Sequence, residues 1–363
     1  MNTGLTRRGP GYRKLAEDLR EQIRSGVLRV GERLPTFAEL HDRYGVARAT
    51  VDKSYSLLNA EGLIDRRPGS GVYVSPQDVL KPISRIGFYF PLQAAKSIEP
   101  YWAHIWGGIR SAANELELEV IMLNGAWNAS MQRSVNGAIF SMFSPMRARA
   151  LHSPRFPCVY LLNPVPGRSS VLVDDYGSGW QAVEFLMKHG HRRIAFFGTA
   201  GTIIESRIDG YRDALIQAGI VFEDQWVRYL PDHALDNGHA EAGRIGMTAW
   251  LEDGWREIGC TALIVMNDTV AIGVIQALQV AGITIPAQLS VMGFDGTEVC
   301  QYVYPTLTSV RIPLEEIGRK SVELLSGMLN HTSGRMLTPQ IITIPTEIAP
   351  GGTVAEALIP QDE

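Results

Sequence analysis

Two groups of side chains combine type and spacing in a way that could do chemistry. The first is the run Ala47-Arg48-Ala49-Thr50, with Lys53 one helical turn further on. On the opening turn of a helix, Arg48 can make paired hydrogen bonds to guanine, and Thr50 can reach a base or a phosphate. Arg66 and Arg67 follow, beside Pro68-Gly69-Ser70-Gly71, where Gly69 lets backbone come close to a sugar-phosphate chain. With Thr36, at the start of a shorter helix, these residues form a set expected to face double-stranded DNA. The second group is dispersed: Phe90, Tyr101, Trp102, Asn163, Arg207, Asn267 and Asp295 stand at or just beyond the ends of short apolar runs. Asp268 belongs beside them, although it suits a helix N-cap as well as a ligand contact. Aromatic faces with a guanidinium, carboxylates and amides suit a carbohydrate or another polar small molecule: the rings stack on apolar faces and the polar groups pair with hydroxyls.

Other arrangements are excluded. No Ser/His/Asp or Cys/His constellation can be assembled, so no catalytic residue is expected and the chain is not read as an enzyme. His189-Gly190-His191 has no third ligand nearby, and Gly190 suits a helix exit, so no metal is expected. Gly69-Ser70-Gly71 and Gly198-Thr199-Ala200-Gly201 lack the spacing of a phosphate loop, and no cofactor is implied.

The elements that must position these residues fall into two parts. Residues 1–75 hold 13 Lys and Arg against 9 Asp and Glu, whereas 76–363 hold 21 against 29, so a basic head precedes an acidic body. In the head, Leu15, Leu19 and Ile23 repeat every four residues along one helix, which Gly26 ends. Thr36-Phe37-Ala38-Glu39 is a capping box opening a helix to Tyr44, and a third helix spans Ala47 to Glu61. Leu63 to Arg67 and Val72 to Val74 then flank a glycine-rich tip as a hairpin. Three helices and a hairpin describe a winged helix-turn-helix, whose third helix enters the major groove. Beyond Ser75, near-continuous apolar strands alternate with helical patterns, as in parallel sheets covered on both faces. About ten such units suit two doubly wound lobes with a ligand cleft at the strand ends. The expected fold is therefore α/β: a winged helix over 8–75, a linker over 76–83, a two-lobed domain over 84–350 and a C-terminal tail over 351–363.

Composition agrees with a folded, cytoplasmic chain. Its 363 residues are 45% apolar and 20% charged, and Cys158, Cys260 and Cys300 are too few and too far apart for a disulfide scaffold. No apolar run is long enough for a membrane span, and the N-terminus lacks the apolar core of a signal peptide.

Several strings carry family resemblances. Tyr12-Arg-Lys-Leu-Ala-Glu17, Gly31-Glu-Arg-Leu-Pro35, Tyr44-Gly-Val-Ala-Arg-Ala-Thr-Val51 and Arg67-Pro-Gly-Ser-Gly-Val-Tyr-Val74 resemble the GntR-type DNA-binding domain. That resemblance departs at Ala38, Ala47 and Asp52, where the family usually has Arg, Ser and often Arg, so no operator sequence is borrowed from it. The body resembles the periplasmic-binding-protein-like sensor domain of LacI/GalR repressors. The strings are Val173-Asp-Asp-Tyr-Gly177, Lys188-His-Gly-His-Arg-Arg-Ile-Ala-Phe-Phe-Gly198, Arg207-Ile-Asp-Gly-Tyr211, Asn267-Asp268, Gly293-Phe-Asp295 and Pro305-Thr-Leu-Thr308. This implies that Arg207, Asn267 and Asp295 fall on effector-binding positions, with Asn163 where many members have Asp. Only about a dozen residues separate Leu123 from Gly137, so the second βα unit is expected to be short. The two resemblances imply a homodimeric transcription repressor binding operator DNA and a small effector, expected to be a sugar. The alternative is a regulator with a pyridoxal-phosphate-dependent aminotransferase-like body, for which no lysine stands in a suitable strand-end setting.

Overall fold

The computed structural model describes residues 10–24, 26–67, 69–75, 84–90, 100–125, 127–141, 156–231, 234–330 and 338–357. The chain divides into two compact units, Met1–Ser84 and Arg85–Glu363. The linker expected over 76–83 lies outside the described residues.

In the first unit, α1 (Tyr12–Arg24), α2 (Phe37–Tyr44) and α3 (Arg48–Ala60) precede β1 (Ile64–Arg67) and β2 (Gly71–Val74). The stripe Leu15, Leu19 and Ile23 is buried with Leu40, Val51, Tyr55, Leu58, Ile64 and Val74 in one core. Gly45 ends α2 with φ 64°, the left-handed conformation that glycine adopts without a Cβ penalty. The hairpin is antiparallel, with Arg66 opposite Val72 and Arg67 opposite Gly71.

The second unit holds two six-stranded sheets. One contains β3 (Arg85–Tyr89), β4 (Glu119–Leu123), β5 (Gly137–Phe140), β6 (Cys158–Leu161), β7 (Ser169–Val173) and β13 (Ile341–Ile344). The other contains β8 (Ile194–Thr199), β9 (Val227–Leu230), β10 (Ala262–Val265), β11 (Ser290–Asp295), β12 (Thr308–Arg311) and β14 (Glu347–Ala349). The orders are β13-β7-β6-β5-β3-β4 and β14-β12-β11-β10-β8-β9. All pairings are parallel except β12 with β14. In each sheet the lobe's first strand lies between its second and third, so the order reverses there. These two switch points, at β3/β5 and β8/β10, are where such sheets leave a ligand crevice beyond their carboxyl ends.

The helices are α4 (Pro100–Glu115), α5 (Ala129–Ser134), α6 (Asp175–Lys188), α7 (Thr202–Gln217), α8 (His239–Glu252), α9 (Asp268–Val280) and α10 (Leu314–Asn330). They pack in pairs: α4 on α10, α6 on α7 and α8 on α9. The chain changes lobe after β7, β12 and β13, so neither lobe is a continuous stretch of sequence. The shortened unit after Leu123 holds only the six-residue α5, capped by Asn128 and burying nothing. On that side of the sheet Trp127 packs against Tyr89 and Phe140.

Residues 351–357, which the sequence reading assigns to a C-terminal tail, are instead bound into the second lobe. Thr353 is fully buried; its hydroxyl donates to the Val291 carbonyl and accepts from the Thr308 amide. His191 accepts or donates at both ring nitrogens, to Thr261 and to Ser290 with the Ala355 carbonyl. Such a segment has buried backbone groups to satisfy, and the polar side chains of β11, β12 and the loop before β8 satisfy them.

Candidate functional site

In the first unit, Arg48 is exposed on the first turn of α3, and Ala47 offers that helix no side-chain cap. Thr50 is half-buried behind it, and the Lys53 ammonium lies 5.9 Å from the centre of the Tyr12 ring. The Thr36 hydroxyl is engaged in the capping box, accepting from the Glu39 amide and donating to its carboxylate. On the hairpin, the Arg67 guanidinium lies 4.5 Å from the Tyr73 ring centre, and Gly69 turns the tip with φ 73°. Arg66 reaches back to α3 instead, donating to the Asp52 carbonyl at 3.3 Å and to Ser56 at 3.1 Å. The hairpin and the third helix are therefore tied together by one of the arginines expected to touch DNA.

In the second unit, Arg207 lies on the second turn of α7 and is 5% exposed. Its Nε donates to Asp175 Oδ1 at 2.9 Å and its Nη1 to the Met266 carbonyl at 2.9 Å. The guanidinium carbon sits 4.5 Å from the centre of the Phe294 ring. Three supports from three elements hold the group, and among the described residues its Nη2 makes no hydrogen bond, so it remains as a donor. Burial raises the Asp175 carboxyl above its ordinary range, and the Arg207 charge pulls it back down. Asp175 is a site residue that the sequence reading passed over. It follows the apolar run Val171 to Val173, and the strand-end rule used for the others would have found it.

Tyr101 and Trp102 open α4 in the first lobe, and Trp102 packs 5.1 Å from the Phe90 ring at the end of β3. The Tyr101 phenol is raised well above its usual range, first by burial and next by the Asp295 carboxylate, with Arg207 opposing. The Tyr101 hydroxyl of one lobe thus lies within electrostatic reach of Arg207, Asp175 and Asp295 of the other. Asp295 closes β11 with φ 101°, a left-handed backbone that side chains other than glycine rarely adopt. Asn267, rather than Asp268, is the N-cap of α9: its Oδ1 accepts from the Val270 amide, and its NH2 remains as a donor. Asp268 is 1% exposed and bonds inward to Ser309 and Thr297. Asn163 follows Leu162, whose φ is 67°, at the end of β6, and its side chain makes no hydrogen bond among the described residues. Tyr101 is thus the residue that Arg207 and Asp295 both influence, and Trp102 packs on Phe90, which at 1% exposed backs the tryptophan and does not itself face a ligand. Asn267 and Asn163 stand just beyond the ends of β10 and β6.

A cleft of about 900 Å3 adjoins this cluster, with Asp295, His104, Glu298 and Glu315 among its walls. His104 of α4 bridges the lobes, its Nε2 2.8 Å from Glu298 and its Nδ1 3.4 Å from Glu315. Two carboxylates facing both ring nitrogens raise the imidazole pKa, the Glu298 hydrogen bond most. Among the described residues, no helix is long and apolar enough to cross a membrane, and no cluster of His, Cys, Asp and Glu could hold a metal ion.

Residues 11–74 match the family described as bacterial regulatory proteins, gntR family, and residues 183–354 match the periplasmic binding protein-like domain. Catabolite control protein A of Priestia megaterium is 26% identical, covering 79% of this chain and 92% of its own. The HTH-type transcriptional regulator CelR of Thermobifida fusca is 27% identical, covering 87% and 97%. A LacI family transcriptional regulator from Enterococcus faecium, solved with bound ribose, superposes with a TM-score of 0.62 at 23% identity, covering 76% of this chain and all of that one. The aminotransferase-like alternative is not supported, since the body matches the periplasmic-binding-protein-like domain and its relatives are transcription regulators.

Proposed function

For a transcription regulator that joins a gntR-family DNA-binding domain to a LacI/GalR-type effector domain, we propose repression of transcription relieved by an uncharged sugar held between the lobes. One observation carries the reading: the buried Arg207 guanidinium, fixed by Asp175, Met266 and Phe294, with the Tyr101 hydroxyl within electrostatic reach of both Arg207 and Asp295. A donor fork next to carboxylates matches a pair of vicinal hydroxyls, each of which donates once and accepts twice. Trp102, half-buried and backed by the buried Phe90, supplies the apolar surface that a sugar C–H face covers. Among the described residues one cation faces two carboxylates here, so a phosphorylated sugar would bring like charge against Asp175 and Asp295. The ribose held by the Enterococcus faecium neighbour is an uncharged polyol of this kind.

At the other end, Arg48 and Thr50 read base edges while Thr36, Lys53, Arg66, Arg67 and Gly69 meet the phosphate backbone. A homodimer places two such heads on adjacent half-sites of a near-palindrome. The sugar releases the operator only by its higher affinity for the closed lobes, and that difference sets the coupling. A thermal-shift screen with D-ribose, D-glucose, cellobiose and their phosphates tests the ligand class. A raised Tm with a free sugar and none with its phosphate is the expected result; stabilisation by the phosphates alone overturns it.

A further inference from the structure

Asp268 is a buried carboxylate to which the binding cluster gives no direct role, yet it holds together everything that presents Asp295. It opens α9 immediately after Asn267 and is 1% exposed. Its Oδ1 accepts from Ser309 Oγ of β12 at 2.6 Å, and its Oδ2 accepts from the Thr297 amide at 3.0 Å. Ser309 Oγ in turn accepts from the Gly296 amide at 3.1 Å. Both amides that follow Asp295 are thus anchored, one directly and one through a hydroxyl, to a single side chain. The turn needs such an anchor, because Asp295 sits at φ 101° and Gly296 at φ 68°. The fit leaves no slack: a Cβ on Gly293 would stand 2.4 Å from Asp268 Oδ1, and one on Gly296 would strike Arg311.

We propose that Asp268 is the positioning residue of the effector site, holding Asp295 in its strained conformation and, through the same turn, Glu298 in reach of His104. This rests on the reading of Asp295 as a sugar contact. Burial raises the Asp268 carboxyl to about 6 even though the bonds from Ser309 and Thr297 act to lower it. A charge is kept in the interior at that cost only with its oxygens fully used, as they are here. Without the carboxylate, Asp295 relaxes out of the left-handed region and its oxygens leave the position that faces Arg207 and Tyr101.

Hydrogen exchange on the full chain, comparing wild type with Asp268→Ala and Asp268→Asn without ligand, tests the anchoring. In Asp268→Ala the amides of residues 295–298 exchange about tenfold faster or more while those of β8 and β10 keep their protection. Asp268→Asn, whose oxygen can still accept from Thr297, restores part of that protection. Unchanged exchange over 295–298, or equal loss throughout the lobe, overturns the proposal. Calorimetry with D-ribose, D-glucose and cellobiose supplies the second arm, with affinity about tenfold lower in Asp268→Ala and intermediate in Asp268→Asn. Equal affinity in wild type and Asp268→Ala overturns the proposal. Wild type that binds none of the three removes the sugar reading, and the exchange arm still decides whether Asp268 anchors the turn.

Discussion

Arg48 and Arg66 carry the same guanidinium in different settings, and the settings separate their roles. Arg48 stands exposed at the start of α3 and makes no hydrogen bond or ion pair among the described residues. Arg66 donates to the Asp52 carbonyl and Ser56, so it ties the hairpin to the helix, and the role proposed for it is a phosphate contact. Arg48→Ala is expected to cost about 1–3 kcal/mol and to relax one base position, whereas Arg66→Ala weakens all sequences alike. Competition gel shifts over a randomised half-site check both, and an unaltered base preference in Arg48→Ala would remove α3 from the groove. What was legible at this scale is what depends on neighbours in sequence. The capping box of Thr36 and Glu39, three residues apart, reads directly and forms as read. The partners of Arg207 lie 32 and 59 positions away, so its support by Asp175 and Met266 belongs to the fold and has no local pattern. Whether Asp268 caps the helix or meets a ligand was open for the same reason, since its partners Ser309 and Thr297 lie far along the chain.

The helix pairs of the body each close on glycines from both sides, and the pair α6–α7 matters most because it carries Asp175 and Arg207. A Cβ on Gly179 would stand 2.0 Å from the Arg207 carbonyl, and one on Gly210 would stand 2.0 Å from that of Tyr176. Gly108 with Gly318, and Gly243 with Gly273, repeat the arrangement in the other two pairs. Because the obstacle is backbone, a methyl group must push the helices apart, and overpacking of this kind costs about 1–3 kcal/mol. Gly179→Ala should therefore lower Tm and also weaken sugar binding. Equal sugar affinity in wild type and Gly179→Ala would show that α6 and α7 do not set the guanidinium. The elements that the sequence shows best are the buried parallel strands, whose continuous apolar runs need no partner to be recognised. Helix α10 has an equally clear stripe in Leu314, Ile317, Val322 and Leu325. The strands β13 and β14 do not: at four and three residues, half-exposed at sheet edges, they carry no period to read.

Across the whole effector unit, three chain crossings join lobes that the order of the sequence interleaves, which is why a tail was expected where residues 351–357 complete the second lobe. The polar link between lobes is His104 with Glu298, backed by Glu315. Asp295, Glu316, Arg311 and Arg319 also line that cleft, but Arg319 pairs with Glu115, Arg311 with Glu347 and Glu316 with Lys320. A raised imidazole pKa stabilises the fold most fully below the unfolded value, and the contribution is lost as pH rises through the folded one. The Tm difference between wild type and His104→Ala is therefore expected to be largest below the ordinary histidine pKa of about 6.5 and to shrink as pH rises above it. A difference that is flat with pH would mean the ring acts by packing. Operator release by sugar is the central claim, and titrating wild type, Arg207→Ala and Asp295→Ala with operator DNA, with and without the free sugar that raises Tm, tests it most directly. Removing Arg207 leaves the buried Asp175 without its charge partner, so operator binding without sugar also reports whether that variant keeps its fold. All three proteins are expected to bind operator without sugar, and the two variants to need about tenfold to a hundredfold more sugar for release. Release of both variants at the wild-type sugar concentration would contradict the account and place the effector elsewhere.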